Sequence, residues 1–121
     1  MAHIVIVDDS PTDVKVLTTL LEDAGHQVSS AADADTGIAL VREEKPDLVL
    51  MDVIMPGTNG FQATRTLSKD PDTSSIPVVI VTTKSMETDR VWGMRQGARA
   101  FLTKPVSGQE LLDSIDKQLN G

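Results

Sequence analysis

Three runs of aliphatic residues constrain the fold of this chain more than any other feature of its sequence. They are residues 4–7 (IVIV), 48–51 (LVLM) and 78–81 (VVIV), and none of them contains a polar residue. A strand with one solvated face alternates apolar and polar side chains, whereas a strand that is covered on both faces does not. The runs therefore predict buried strands of a parallel sheet.

Two weaker runs, residues 27–31 (QVSSA) and 99–103 (RAFLT), predict further strands, and segments with helical spacing lie between the strands. After the first strand, for example, Val14, Leu17 and Leu21 recur as on one face of a helix. The pattern is β then α, five times over. It predicts an α/β fold in which right-handed crossovers place helices on both faces of a five-stranded parallel sheet.

Several helix ends are marked by residues that satisfy the terminal backbone groups. Ser10 stands before a proline and predicts an N-cap, and Ser107 with Glu110 three residues later predicts a capping box. Gly25 and Gly97 follow the first and fourth helical segments, where a left-handed residue ends many helices. These signals keep the connections short, and they leave room for one domain, residues 1–121.

The charge of the chain argues against two classes of partner. It has 18 acidic and 11 basic residues, a formal net charge of −7, and so lacks the cationic surface that nucleic acid or an anionic membrane requires. It contains no cysteine, and its first apolar run is too short for a signal peptide or a membrane span. We expect a soluble cytoplasmic protein.

The ends of the predicted strands carry the polar residues of most interest, because open parallel sheets bind ligands at the carboxyl ends of their strands. Asp8 and Asp9 follow the first strand, Asp52 the third, Thr82 the fourth and Lys104 the fifth. Three carboxylates brought together repel one another unless a cation neutralises them. A ligand set made only of oxygen favours Mg²⁺, with Mn²⁺ as an alternative.

A magnesium ion beside a carboxylate, a hydroxyl and an ammonium group is suited to phosphoryl transfer. Carboxylates can accept phosphoryl groups, which makes Asp52 the candidate nucleophile. Lys104 and Thr82 are the candidates for contacting the oxygens of the new phosphate. The residues alone thus predict an aspartyl phosphate at Asp52.

Four motifs together resemble the receiver domain of response regulators, the phosphoacceptors of two-component signalling. They are residues 7–10 (VDDS), 52–60 (DVIMPGTNG), 81–83 (VTT) and 102–105 (LTKP), and they stand in the order and spacing of that family. The resemblance covers essentially the whole chain and implies the doubly wound, flavodoxin-like (βα)5 fold with strand order 2-1-3-4-5.

The resemblance is to single-domain, chemotaxis-type receivers that have no output domain. Residues 60–70 and 82–105 are most similar to regulators of type IV pilus twitching motility. A role in chemotaxis-like control of twitching is therefore expected.

Carried over residue by residue, the family pattern implies a complete metal and phosphoryl site. Asp52 is the phosphoacceptor. Asp9 and Asp52 would bind Mg²⁺ directly, Asp8 would act through a bound water, and the backbone carbonyl of Ile54 would complete the protein ligands.

The same resemblance implies how the signal would spread from the site. Thr82 would be the switching hydroxyl, Lys104 the phosphate-binding group, and Phe101 the aromatic residue that moves inward when Thr82 is drawn to the phosphate. The Lys104–Pro105 bond is cis in this family, an isomer open to proline at small cost.

The target would bind a face made by residues 84–96, Phe101 and the last helix, with Arg90 as a contact. Two residues depart from the usual pattern. Phe101 lacks the hydroxyl of the tyrosine found in many relatives, and Thr83 stands where relatives carry a smaller residue, which puts the rate of phosphotransfer in question.

The expected function is that of a monomeric receiver, phosphorylated by a histidine kinase or its phosphotransfer domain, that changes its affinity for a protein target. It would catalyse only its own phosphorylation and dephosphorylation. A phosphate sink that drains the kinase is the alternative. An aspartyl phosphatase is disfavoured because Ile54 stands where such enzymes need a second carboxyl. Flavin binding is disfavoured because Asp8 and Asp9 would repel the flavin phosphate.

Overall fold

Strands and helices alternate along the chain, as the aliphatic runs predict. A computed structural model describes residues 1–120, and within them five strands alternate with five helices. The elements are β1 (His3–Val7), α1 (Pro11–Asp23), β2 (Gln27–Ala31), α2 (Ala34–Glu44), β3 (Leu48–Met51), α3 (Gly60–Lys69), β4 (Val78–Thr82), α4 (Glu87–Arg95), β5 (Ala100–Thr103) and α5 (Gly108–Asn120). No helix in this range is both long and apolar enough to cross a membrane.

The strands form one parallel sheet in the order β2-β1-β3-β4-β5, which confirms the predicted topology. The chain moves from β1 to β2 on one side and then returns to place β3 on the other side of β1. Val7 at the end of β1 is paired with Met51 at the end of β3. The residues that follow, Asp8 and Asp52, therefore leave the sheet side by side at the point where the strand order reverses.

Each face of the sheet is covered by helices, which explains why the strands lack polar alternation. On one face Ile4, Ile6 and Leu50 pack in a cluster that includes residues of α1 and α5. On the other face Val5, Val7 and Val49, together with residues of α2 and α3, form a second cluster. Successive residues of β1 thus enter different layers of the core, and both layers are apolar.

The predicted helix ends are largely confirmed. The hydroxyl of Ser10 accepts a hydrogen bond from the Asp13 amide at 3.3 Å, and that of Ser107 accepts one from the amide three residues later at 3.0 Å. Gly25 and Gly97 have φ values of +91° and +109°, in the region that favours glycine. These caps fix where α1 and α5 begin and where α1 and α4 end.

Two helix ends carry features that the sequence did not predict. Helix α2 ends at Glu44, and Lys45 then adopts a left-handed conformation with φ of 49°. Helix α3 begins with a capping box in which the side chains of Asn59 and Gln62 each accept a hydrogen bond from the other's backbone. The capping box fixes the end of the loop that follows β3 and therefore bears on the position of Asp52 at the start of that loop.

Gly60, the first residue of α3, lets that helix approach the loop after β3. Its amide donates to the carbonyl of Val53 at 3.0 Å, and a Cβ atom at this position would overlap the backbone of Asp52. The backbone there cannot move away without displacing the strand end. Close packing of α3 against Asp52, the candidate nucleophile, therefore requires glycine at residue 60.

We predict that Gly60→Ala lowers the free energy of unfolding by about 2–4 kcal/mol, because the new methyl group has no space. Gly108→Ala is the matched control, since Gly108 is also the first residue of its helix. A Cβ there meets only the end of the Leu20 side chain, at 3.0 Å. Urea unfolding of the two variants should separate them, and equal losses would contradict the packing argument.

Candidate functional site

Three carboxylates meet at the carboxyl end of the sheet. One oxygen each of Asp8, Asp9 and Asp52 lies within 4.8 Å of the others. Asp8 and Asp52 are buried, with 3% and 7% of their surface exposed, whereas Asp9 is exposed. The register of β1 and β3 produces this arrangement, and the sequence predicted it.

The two oxygens of Asp52 have different surroundings. Oδ1 accepts hydrogen bonds from the backbone amides of Val53 at 2.7 Å and Ile54 at 3.3 Å. Oδ2 lies 3.2 Å from the ammonium nitrogen of Lys104. The backbone thus holds one oxygen and orients the carboxylate, while the other contacts a cation.

The Lys104 ammonium group lies among three carboxylates. Its nitrogen is 2.7 Å from Asp8 Oδ2, 2.8 Å from Asp13 Oδ2 and 3.2 Å from Asp52 Oδ2, and its side chain is only 12% exposed. The Lys104 amide donates to the carbonyl of Thr82 at 2.7 Å, and the Lys104–Pro105 peptide bond is cis. An ammonium group has three protons to donate, and each can be assigned to one carboxylate.

The electrostatics of the cluster leave an excess of negative charge. Burial raises the pKa of Asp8 above its ordinary value, although hydrogen bonds from Lys104 and the Ser10 amide act in the opposite direction. Burial alone would lower the pKa of Lys104, but hydrogen bonds to Asp13 and Asp8 and the charge of Asp52 outweigh it and raise that pKa. Three carboxylates contact one ammonium group and Asp9 lies beside two of them, so a further cation would be attracted.

Thr82 and Phe101 lie on neighbouring strands, β4 and β5. Thr82 is the last residue of its strand and is fully buried, and its hydroxyl accepts a hydrogen bond from the Lys84 amide at 3.4 Å. Phe101 is half-buried and packs against a small cluster that includes Ile80 and Ala98. The ring therefore has less surface left to bury than a fully exposed side chain.

Helix α4 lies over Phe101 and presents apolar residues to solvent. Gly93 faces the sheet, where a Cβ atom would lie 2.9 Å from Ile80 and 3.1 Å from the Phe101 ring. On the outside, Trp92 is 51% exposed. Arg90 forms an ion pair with Glu87 at 2.8 Å on the same helix. The absence of a side chain at Gly93 is what lets the helix pack closely on Phe101.

The structure brings together most of the predicted site and adds one residue. Asp8, Asp9, Asp52 and Lys104 form one cluster, whereas Arg90 lies apart from them on α4. Asp13 was not predicted, because only strand ends were considered. The signal was present in the proline at residue 11, which starts α1 and so places residue 13 in the first turn of a helix that begins beside the cluster.

A family model described as the response regulator receiver domain matches residues 4–116. The chain belongs to this family. Over the full length of both chains, 121 residues, it is 62% identical to Protein PilH of Pseudomonas aeruginosa. This confirms the family that the motifs indicated.

Solved structures show the same fold. Chemotaxis protein CheY4 of Vibrio cholerae is similar with a TM-score of 0.92 and 28% identity, over 98% of this chain and 99% of that one. The receiver domain of the Pseudomonas aeruginosa sensor histidine kinase PA1611, solved with magnesium coordinated in its active-site cleft, gives a TM-score of 0.92 at 24% identity, over 99% and 98% of the two chains. At that identity the second likeness establishes the fold alone.

The donor groups of this chain are suited to a hard divalent ion. The cluster offers carboxylate oxygens and no nitrogen or sulfur ligand, and its negative charge exceeds its positive charge. Receiver domains bind Mg²⁺ at an acidic pocket of this kind. The residues present therefore fit the ion that the family uses.

We predict that Asp8→Asn stabilises the metal-free protein near neutral pH. A carboxyl group whose pKa is raised by folding destabilises the folded state at pH values above its folded-state pKa. For Asp8 this penalty vanishes as the pH falls below 3.8, the ordinary pKa of the group. With a chelator present, the substitution should raise the free energy of unfolding at neutral pH, and this gain should disappear in acid. Urea titrations at both pH values would measure this, and a loss of stability at neutral pH would contradict it.

Proposed function

We propose that this receiver accepts a phosphoryl group on Asp52 from a histidine kinase or its phosphotransfer domain, and then changes its affinity for a protein target. The observation that carries the proposal is the position of Asp52 Oδ2, which lies 3.2 Å from the Lys104 ammonium and within the carboxylate cluster. A nucleophile, a cation for the transferred group and a metal-ligand set are thus at one place.

In the proposed reaction Asp52 Oδ2 attacks the phosphorus atom of a phosphohistidine. An oxygen–phosphorus bond forms, the phosphorus–nitrogen bond breaks, and its electron pair leaves with the imidazole. The amides of Val53 and Ile54 keep the carboxylate oriented through Oδ1, and Lys104 donates to an oxygen of the phosphoryl group.

Mg²⁺ would neutralise charge on the phosphoryl oxygens. Its proposed ligands are Asp9 and Asp52 directly, Asp8 through water, and the Ile54 carbonyl. The surplus of carboxylates at this place supports this set, because the single ammonium group of Lys104 does not balance their charge.

A groove beside Lys104 supports a protein as the phosphodonor. It has a volume of about 350 Å³ and lies between α1 and the segment after β5. Its walls are mostly apolar and include Leu20, Pro105, Val106 and the exposed Val16. An exposed apolar surface beside Lys104 is typical of a site that contacts another protein.

The proposed route to the target runs through Thr82 and Phe101 to α4. If the phosphate draws the Thr82 hydroxyl, the Phe101 ring can bury its remaining surface, a gain below the roughly 1.5–3 kcal/mol of a fully exposed aromatic side chain. Such a difference shifts a two-state equilibrium by about tenfold rather than completely. The face of α4, β5 and α5 then binds the target, with Arg90 and the exposed Trp92 as contacts.

The proposed pathway is chemotaxis-like control of type IV pilus twitching motility. The support is the resemblance of residues 60–70 and 82–105 to regulators of that process, together with the similarity to Protein PilH over the whole chain. The proposed chemistry at Asp52 does not depend on this pathway.

We predict that the protein gains one phosphoryl group from acetyl phosphate only when Mg²⁺ is present, and that Asp52→Asn gains none, because an amide cannot serve as the nucleophile. Intact mass spectrometry measures the addition. Asp47→Asn provides a control, since Asp47 lies at the opposite end of the sheet and bonds to the His3 amide. Equal labelling of Asp52→Asn would refute the site.

We predict that phosphorylation changes backbone NMR signals of residues 84–103 more than those of α2, which contains none of the switch residues. Comparison of spectra before and after phosphorylation measures this. Changes confined to α2 would refute the output route. Labelling at Asp52 without any change in residues 84–103 would instead indicate a phosphate sink.

A further inference from the structure

Asp13 is the one carboxylate of the cluster that neither the motifs nor the proposed chemistry uses. Its Oδ2 lies 2.8 Å from the Lys104 ammonium, closer than the 3.2 Å of Asp52. It is also 41% exposed, whereas Lys104 is 12% exposed. The residue therefore places a negative charge at the edge of the site, held there by a nearly buried cation.

We propose that Asp13 is a positioning residue for Lys104 that weakens the affinity of the site for the phosphoryl group. The inference rests on the proposed function, because it concerns the state in which Asp52 carries that group. Asp13 holds the ammonium nitrogen from the side of α1. It thereby keeps a carboxylate close to the place where the phosphoryl oxygens arrive.

The protons of Lys104 limit how many oxygen atoms its ammonium group can bind. Its three donors are matched by Asp8, Asp13 and Asp52, so a phosphoryl oxygen must replace one of these partners. The transferred group is attached to Asp52 Oδ2, so the Asp52 contact is the one that it replaces. Asp8 and Asp13 then remain bound to the ammonium, and the phosphoryl oxygens share it with both of them.

The negative charge of Asp13 also acts on the phosphoryl group itself. Asp13 Oδ2 and Asp52 Oδ2 contact the same nitrogen atom, so they are no further apart than those two contact distances together. A dianionic phosphoryl group on Asp52 is thus repelled by the Asp13 charge across a short distance. Asp8 differs because the proposed metal would offset its charge, whereas Asp13 has only Lys104.

The test uses Asp13→Asn and beryllofluoride, a non-covalent mimic of the phosphoryl group, with the full chain at saturating Mg²⁺. Asparagine keeps the size and one acceptor oxygen but removes the charge. We expect beryllofluoride to bind about three- to tenfold more tightly to the variant, because the repulsion of a half-exposed carboxylate is partly screened. A titration followed by NMR gives the dissociation constants, and a separate Mg²⁺ titration confirms saturation.

Asp23→Asn is the matched control, because it removes the same charge from the other end of α1, roughly 15 Å away along the helix. It should bind beryllofluoride as the wild type does. The gain in Asp13→Asn should also shrink in high salt, which a change of packing would not produce. Equal or weaker binding by Asp13→Asn, or a gain equal to that of Asp23→Asn, would overturn the proposal.

A second measurement separates this inference from the proposed function. A double-mutant cycle of Asp13→Asn and Lys104→Met, followed by urea unfolding without metal, reports the contact itself. We expect non-additive effects, with Asp13→Asn more favourable in the Lys104→Met background, where the carboxylate has lost its partner. Additive effects would overturn the positioning role. If the wild type binds no beryllofluoride while the cycle is non-additive, the proposed function fails and the positioning role stands.

Discussion

The structure depends on how a group of negative charges is held at the edge of a buried sheet. Asp8 and Asp52 follow strands whose residues are covered on both faces, so their carboxylates have little access to water. Lys104 is the group that makes this tolerable, because its ammonium contacts both of them. Without an opposite charge, buried carboxylates would either take up protons or destabilise the fold. Lys104, which follows the last strand, thus offsets part of the negative charge of the site.

The contact of Lys104 with Asp8 and Asp52 explains why the site forms only in the folded chain. Lys104 is distant in sequence from Asp8 and Asp52, and only the parallel pairing of all five strands brings the ends of β1, β3 and β5 to one edge of the sheet. The apolar core supplies the rigidity, since both layers are packed against the strands that carry the site. Gly60 adds a local requirement by letting α3 touch the loop of the candidate nucleophile.

Much of this could be predicted from the sequence, and the reasons for the remainder are physical. The unbroken aliphatic runs determined the parallel sheet, and counting strand ends located Asp8, Asp9, Asp52 and Lys104. Asp13 was missed because only strand ends were considered, although Pro11 marks the start of α1 and places residue 13 in its first turn. The left-handed Lys45 was missed because its conformation depends on surrounding structure rather than on its own preference. The exposure of residues on α4 could not be predicted either, because the spacing of residues in the sequence does not show it.

Gly93 has a consequence for how the surface of α4 can change in evolution. A glycine inside a nine-residue helix sacrifices about 1 kcal/mol of helix stability, so α4 is held by its packing on the sheet more than by its own sequence. The missing side chain also puts the helix in contact with the Phe101 ring. A mutation at this one position would therefore change the surface of α4 while the carboxylate cluster and Lys104 stay in place. Evolution can in this sense change the surface of α4 and the candidate site separately.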